Sequence, residues 1–209
     1  MGACFLEKFL FDFREQRFQR CANLCLWNPR CHLFCMIGNE CNLFKTWVTA
    51  EYSGMGQDYG FDSCHTSWFY ENNLAPKTVH TIPSAFPPEN QAPQSVNGYF
   101  CYSTDSCGIT NFMSNPWWLI DLQGQYLVTT LVLKLRGDEK DFENVIIRFG
   151  NSSTMSLNPI FNVHPGKTPS DDTDLIIKAL NATVGRYLSF QRFLSPAAIT
   201  ICEIQIIGT

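Results

Sequence analysis

The sequence has no apolar run approaching the roughly 20 residues that a bilayer-spanning helix needs, so a helical membrane span is excluded. Its 15 Lys and Arg are outnumbered by 19 Asp and Glu, for a net charge of -4, and are scattered evenly. Without a basic stripe, nucleic acid is not an expected partner. There is no phosphate-cradling Gly loop and no His-x-x-x-His pair. Cys64 and His65 adjoin in sequence, whereas a working Cys-His pair is brought together by the fold. Oxidised cysteines beside His32 and His65 would not ligate zinc. The start, Met1-Gly2-Ala3-Cys4, has no secretory leader, and Leu6 stands where myristoylation requires Ser or Thr, so the sequence reads as a mature fragment. No internal repeat or low-complexity tract is evident.

What the chain does have is cysteine, unevenly placed. Seven of the ten fall between Cys4 and Cys64, and only Cys101, Cys107 and Cys202 serve the rest. This distribution predicts a disulfide-dense module over residues 1–66, a linker at 67–72 and a core-supported β domain over 73–209. Two sequons, at Asn151 and Asn181, join the cysteines in pointing to a secreted, extracellular protein.

Phe5 to Phe13 is Phe-rich and alternates, predicting a first strand. Phe18, Cys21, Ala22, Cys25 and Leu26 then recur at helical spacing until Asn28-Pro29 ends the helix. Two short strands follow around a Gly38-Asn39 turn, and Cys21 and Cys25, one helical turn apart, can both be tied to them. The pattern Cys-x3-Cys-x5-Cys-x2-Phe followed by Cys-x-Leu-Phe resembles the PAN/apple domain, a small α+β module. That resemblance implies the bridges Cys25–Cys31, Cys21–Cys41 and Cys4–Cys64, and leaves Cys35 without a place.

Further on, Asn115-Pro116-Trp117-Trp118-Leu119-Ile120-Asp121-Leu122, a Gly-containing turn and the run Leu127 to Leu135 read as two antiparallel strands, a hairpin bulky enough to lie in a core. One ring of the Trp pair points inward and the other to a rim. Together with Arg136-Gly137-Asp138, the strand Val145 to Gly150, Gly185-Arg186-Tyr187-Leu188 and Cys202-Glu203-Ile204, this order resembles the fucolectin family of discoidin-like, coagulation-factor C-type jelly rolls. The resemblance runs from about Asn73 to Thr209 and implies a β-sandwich jelly roll, making the whole chain mainly β. It also implies a Cys107–Cys202 bridge, after which Cys35 and Cys101 remain. They are expected to bond each other, the alternatives being free thiols or links to other chains.

In fucolectins a curled loop and the Glu after the last Cys gather oxygens around calcium, which takes six to eight of them. The matching positions are Gln94, Asn97, Tyr99, Ser106 and Glu203, with Asn97 where the family has Asp. Structural Ca2+ is therefore the expected cofactor. The family's sugar pocket uses a loop His and the pattern Arg-x-Asp-x4-Arg/Lys. Arg136 and Asp138 match, but the basic position falls on Glu143 counted forward and Asp141 counted back, and the His position is Ile109. An acid there removes a donor that a sugar oxygen needs, so the pocket is degenerate and Lys140 is the loop's substitute cation. Arg136-Gly137-Asp138 is explained by the family pattern without integrin binding. The expected function is recognition of a glycan or glycoprotein by a non-enzymatic module through Arg136, Asp138 and Lys140. The alternative is an assembly subunit that uses the fold to contact other chains of an extracellular complex.

Overall fold

The computed structural model describes residues 5–11, 16–48, 61–66, 72–81, 92–96, 98–100, 107–135, 142–166, 174–194 and 196–209. The chain divides into two compact units, residues 1–69 with 98–103, and residues 70–97 with 104–209.

In the first unit, β1 (Phe5–Leu10), β2 (Leu33–Ile37), β3 (Glu40–Phe44) and β5 (Ser63–Thr66) form one antiparallel sheet in the order β1-β3-β2-β5. A short β4 (Trp47–Val48) pairs with β7 (Tyr99–Phe100). The helix α1 spans Arg17–Trp27, where the apolar spacing places it, and Asn28 ends it in an extended conformation. Cys21 and Cys25 are buried on one helix face among Phe34, Met36, Cys41 and Leu43. Bridges Cys21–Cys41 and Cys25–Cys31 staple that face to the strands, as the PAN/apple resemblance implies, and a helix on such a sheet is compatible with that family. Gly38 turns the β2–β3 hairpin at a φ of +53°, and its N–H donates to Asp62 Oδ2 at 2.7 Å.

The remaining pairing differs from expectation. Cys35 is bonded to Cys64, so neither Cys4–Cys64 nor Cys35–Cys101 forms. The reason is strand register: Cys35 in β2 lies directly opposite Cys64 in β5, with Cα atoms 4.1 Å apart. Directly opposed residues of a non-hydrogen-bonded antiparallel pair sit at about 4.5 Å, and neither thiol has to travel to find its partner. Cys4 and Cys101 lie outside the described residues.

The second unit is a β-sandwich. Its main strands are β6 (Val79–Thr81), β9 (Trp117–Lys134), β10 (Val145–Gly150), β11 (Ile160–His164), β12 (Leu175–Arg192) and β14 (Glu203–Gly208). They run in the order β11-β10-β12-β9-β14, with β6 also pairing β9. A separate pair joins β8 (Gly108–Ile109) to β13 (Thr200–Ile201). The expected hairpin within Trp117 to Leu135 is instead one strand of 18 residues that bends at Gln123–Tyr126. Its halves do not bond each other because β12, also 18 residues long, satisfies both: Trp117–Asp121 pairs with Tyr187–Gln191, and Leu131–Leu133 with Leu175–Ile177. Gln123 adopts a φ of +60° at the bend.

Both halves of β9 feed one core. Trp118, Ile120 and Leu122 from the first half pack with Val128, Leu131, Leu133 and Leu135 from the second. Trp118 is fully buried and Trp117 half-buried, as alternation requires. Close approach of strands explains one glycine: a Cβ on Gly185 would stand 2.8 Å from the Cα of Gly150 in the neighbouring strand.

Candidate functional site

Because β9 folds over the core, its first and last residues lie at the same end of the sandwich. β12 runs antiparallel along it, its end facing Trp117 and its start facing Leu133. The connection from β9 to β10 leaves from Lys134 and returns at Val145. Backbone hydrogen bonds tie the end together: Arg192 N–H donates to Pro116 O, Phe193 N–H to Asn144 O and Cys202 N–H to Lys134 O, all at 2.9 to 3.0 Å. The Cys107–Cys202 bridge, implied by the fucolectin resemblance, is present and joins β8's segment to β14.

Arg136, Asp138 and Lys140 lie outside the described residues, as do Asp141, Asn97 and Ser106. The residues that anchor the loop on either side are described. Leu135 and Phe142 are buried in the core. Next to Phe142, Glu143 is half-exposed, and its Oε2 is 3.8 Å from a terminal guanidinium nitrogen of Arg192, a side chain only 5% exposed. The acid that replaces the family's cation is thus neutralised by an arginine from β12. Ile109, at the family's His position, is buried opposite Thr200. A histidine does reach this end from another direction. His164 closes β11 opposite Val145, and its ring lies 5.7 Å from that of Phe142.

Sequence spacing did not reveal Arg192 or His164. Each is placed by register alone, since Val145 faces His164 on one side and Arg192 on the other. The signal available was the single Arg ending the apolar run Tyr187 to Phe190.

The calcium set can be tested on its described members. Glu203 is 2% exposed in β14, directly opposite Lys134 of β9, which is 1% exposed and ion-paired with Asp174. A carboxylate opposed by a buried ammonium is a poor start for a divalent site, because the ammonium already supplies the positive charge. Tyr99 is in β7, paired with Val48 in the first unit, and Gln94 lies in a short helical turn, Ala92–Val96. Among the described residues no three His, Cys, Asp or Glu side chains converge. Asn97 and Ser106 lie outside the described residues, so of the five positions only Glu203 has a described side chain, and a buried lysine faces it.

At the opposite, bent end of β9, Arg186 donates two hydrogen bonds to Asp121, from Nε at 2.7 Å and from a terminal nitrogen at 2.8 Å. Asp121 also accepts the N–H of Gln123 at 2.8 Å, which holds the bend. The Arg186 hydrogen bond keeps the Asp121 carboxyl below the ordinary carboxylate range, partly opposed by burial. Both sequon asparagines, Asn151 and Asn181, are exposed.

In the first unit, a cavity of about 320 Å³ is lined by Ala22, Leu26, His32, Phe34 and His65, with His65 stacked on Phe34 at 5.1 Å. Leu26 and Trp27, ending α1, are 79% and 77% exposed.

No protein-family model matches this sequence, and no curated protein does. Solved structures do. A fucolectin from striped bass (Morone saxatilis) serum superposes with a TM-score of 0.58 at 24% identity, covering 67% of this chain and 50% of that one. This chain therefore spans half the length of the bass lectin. The lectin domain of lectinolysin, solved with Lewis B antigen, gives 0.55 at 19% identity, covering 68% of this chain and 99% of the other. A Clostridium perfringens family 32 carbohydrate-binding module, solved with galactose, gives 0.51 at 10% identity over 64% of this chain and 95% of that one. The second unit thus has the jelly-roll fold shared by fucolectins and discoidin-like carbohydrate-binding modules.

Proposed function

We propose that this is a secreted carbohydrate-binding protein without catalytic activity, whose sugar site is carried by the β9–β10 connection. The observation that carries the reading is the jelly roll itself, shared with modules solved with Lewis B antigen and with galactose. Four disulfides among the described residues and two exposed sequons support an extracellular setting. Arg136, Asp138 and Lys140 are the proposed contacts: cations donate to sugar hydroxyls, and the Asp fixes the arginine.

The site differs from a fucose pocket in two places. Ile109 cannot donate a hydrogen bond, and Glu143 brings an acceptor, held by Arg192, where a donor is needed. We therefore expect a ligand other than terminal fucose. A broad glycan array, read with wild-type protein and Arg136→Ala, tests the proposal. Binding to a defined glycan that the variant loses supports it. A blank array from disulfide-intact protein overturns it.

One observation favours a second reading, assembly with other protein chains. Leu26 and Trp27 project from α1 into solvent as an apolar pair. Trp27→Ser would then lower the apparent mass in sedimentation, whereas an unchanged monomer in both proteins would exclude self-assembly through α1.

A further inference from the structure

Among the described residues the second unit buries two cations, Lys134 and Arg192, and Lys134 is the more deeply placed. Leu131, Leu133 and Leu135 of β9 and Ile204 and Ile206 of β14 face the hydrophobic core. Alternation puts Val132 and Lys134, with Glu203 and Gln205, on the opposite face, and all four are buried there as well. Lys134 stands in the middle of three neighbouring strands. Glu203 is its direct partner in β14, so their Cβ atoms lie about 5 Å apart. On the other side β12 begins with Leu175 opposite Leu133, and the residue before it, Asp174, is ion-paired with the Lys134 ammonium. By register the row across the three strands reads Glu203, Lys134, Asp174, with the ammonium ion-paired to Asp174.

Glu203 is one of the five positions that the fucolectin resemblance assigns to calcium, and the one on a strand of the main sheet. A buried carboxylate needs a compensating positive charge, and a bound ion or a neighbouring side chain can bring it. Here the side chain is built into the adjacent strand at the same level. A divalent ion placed against Glu203 would lie beside a strand that already carries a buried ammonium of the same sign.

We propose that the Lys134 ammonium is this domain's resident cation, a covalently attached charge between Glu203 and Asp174 that replaces a dissociable metal ion and makes the fold independent of calcium. The proposal concerns folding and holds whether or not the domain binds sugar, so its failure and that of the lectin reading are separately visible. An ammonium cannot be chelated away or diluted out. The domain would keep its structure where calcium is scarce.

The test is thermal unfolding of the disulfide-intact protein in EDTA and in millimolar CaCl2, with Lys134→Met and Lys134→Ala alongside. The wild-type melting temperature is expected to be the same in both buffers, with no saturable heat on calorimetric titration with calcium. Lys134→Met, which keeps most of the length and loses the charge, is expected to melt about 10 °C lower, as for a broken buried ion pair. In Lys134→Ala, calcium is expected to recover part of the lost stability, because the two carboxylates regain room and need for a cation. A wild-type melt that falls in EDTA and returns saturably with calcium overturns the proposal, as does Lys134→Met melting like wild type. Should the variants not fold, the two wild-type measurements decide alone.

Discussion

Asp121 and Arg186 meet in a two-pronged ion pair, both hydrogen bonds under 3 Å, at the bend where β9 passes from one layer of the sandwich to the other. The carboxylate is held below its usual range chiefly by the Arg186 hydrogen bond. Its contribution to stability is therefore full above an ordinary Asp value, near 3.9, and is lost as pH falls through the lowered folded value. Asp121→Asn keeps an acceptor for Gln123 and loses the charge. Denaturant unfolding should show the variant less stable at neutral pH by no more than about 1 kcal/mol, because Arg186 is 40% exposed and screened. The gap should close below pH 4, and a gap that widens in acid would refute the assignment.

Glu143 and Arg192 bear on attempts to restore a fucose pocket. Glu143→Arg recreates the family's basic position but places a second guanidinium against Arg192, which is buried. The expected result is a destabilised protein that gains no fucose binding, and Glu143→Arg with Arg192→Gln should recover the stability. Melting temperature and fucose titration, taken together, check this.

Gly185→Ala tests the approach of β10 and β12. The added methyl would stand 2.8 to 2.9 Å from three backbone atoms of Gly150, and backbone cannot swing aside as a side-chain tip does. A loss of about 1–3 kcal/mol in urea unfolding is expected. A variant as stable as wild type would show that the strands lie further apart.

Peptide mapping without reduction should recover Cys35 and Cys64 in one linked fragment. Recovery of Cys64 linked to Cys4 would contradict the register of β2 and β5.

The helix over Arg17–Trp27 was legible from spacing, and three bridges followed from family resemblance. These features depend on residues close in sequence or on a motif with fixed order. Cys35–Cys64 was not legible, because it follows from which two strands become neighbours, and β1, β3, β2, β5 is not the chain's order. Reading a hairpin into Trp117 to Leu135 failed for a related reason. A turn-like Gln-Gly-Gln looks the same whether the strand reverses or bends around a corner, and only β12, over 40 residues away, distinguishes them. In the run Leu131 to Leu135, nothing in the sequence set Lys134 apart. Its meaning emerged only with Glu203 and Asp174 on either side.

Two unbroken strands, β9 and β12, run through both layers of the second unit and are zipped to each other along most of their lengths. Such a frame has no seam. The layers cannot part like the jaws of a clamp, so closure of the body is not available as a way to hold a ligand. The connections between strands can lengthen, shorten or trade an arginine for a glutamate while the frame stays put, and the unit should unfold in one step or not at all.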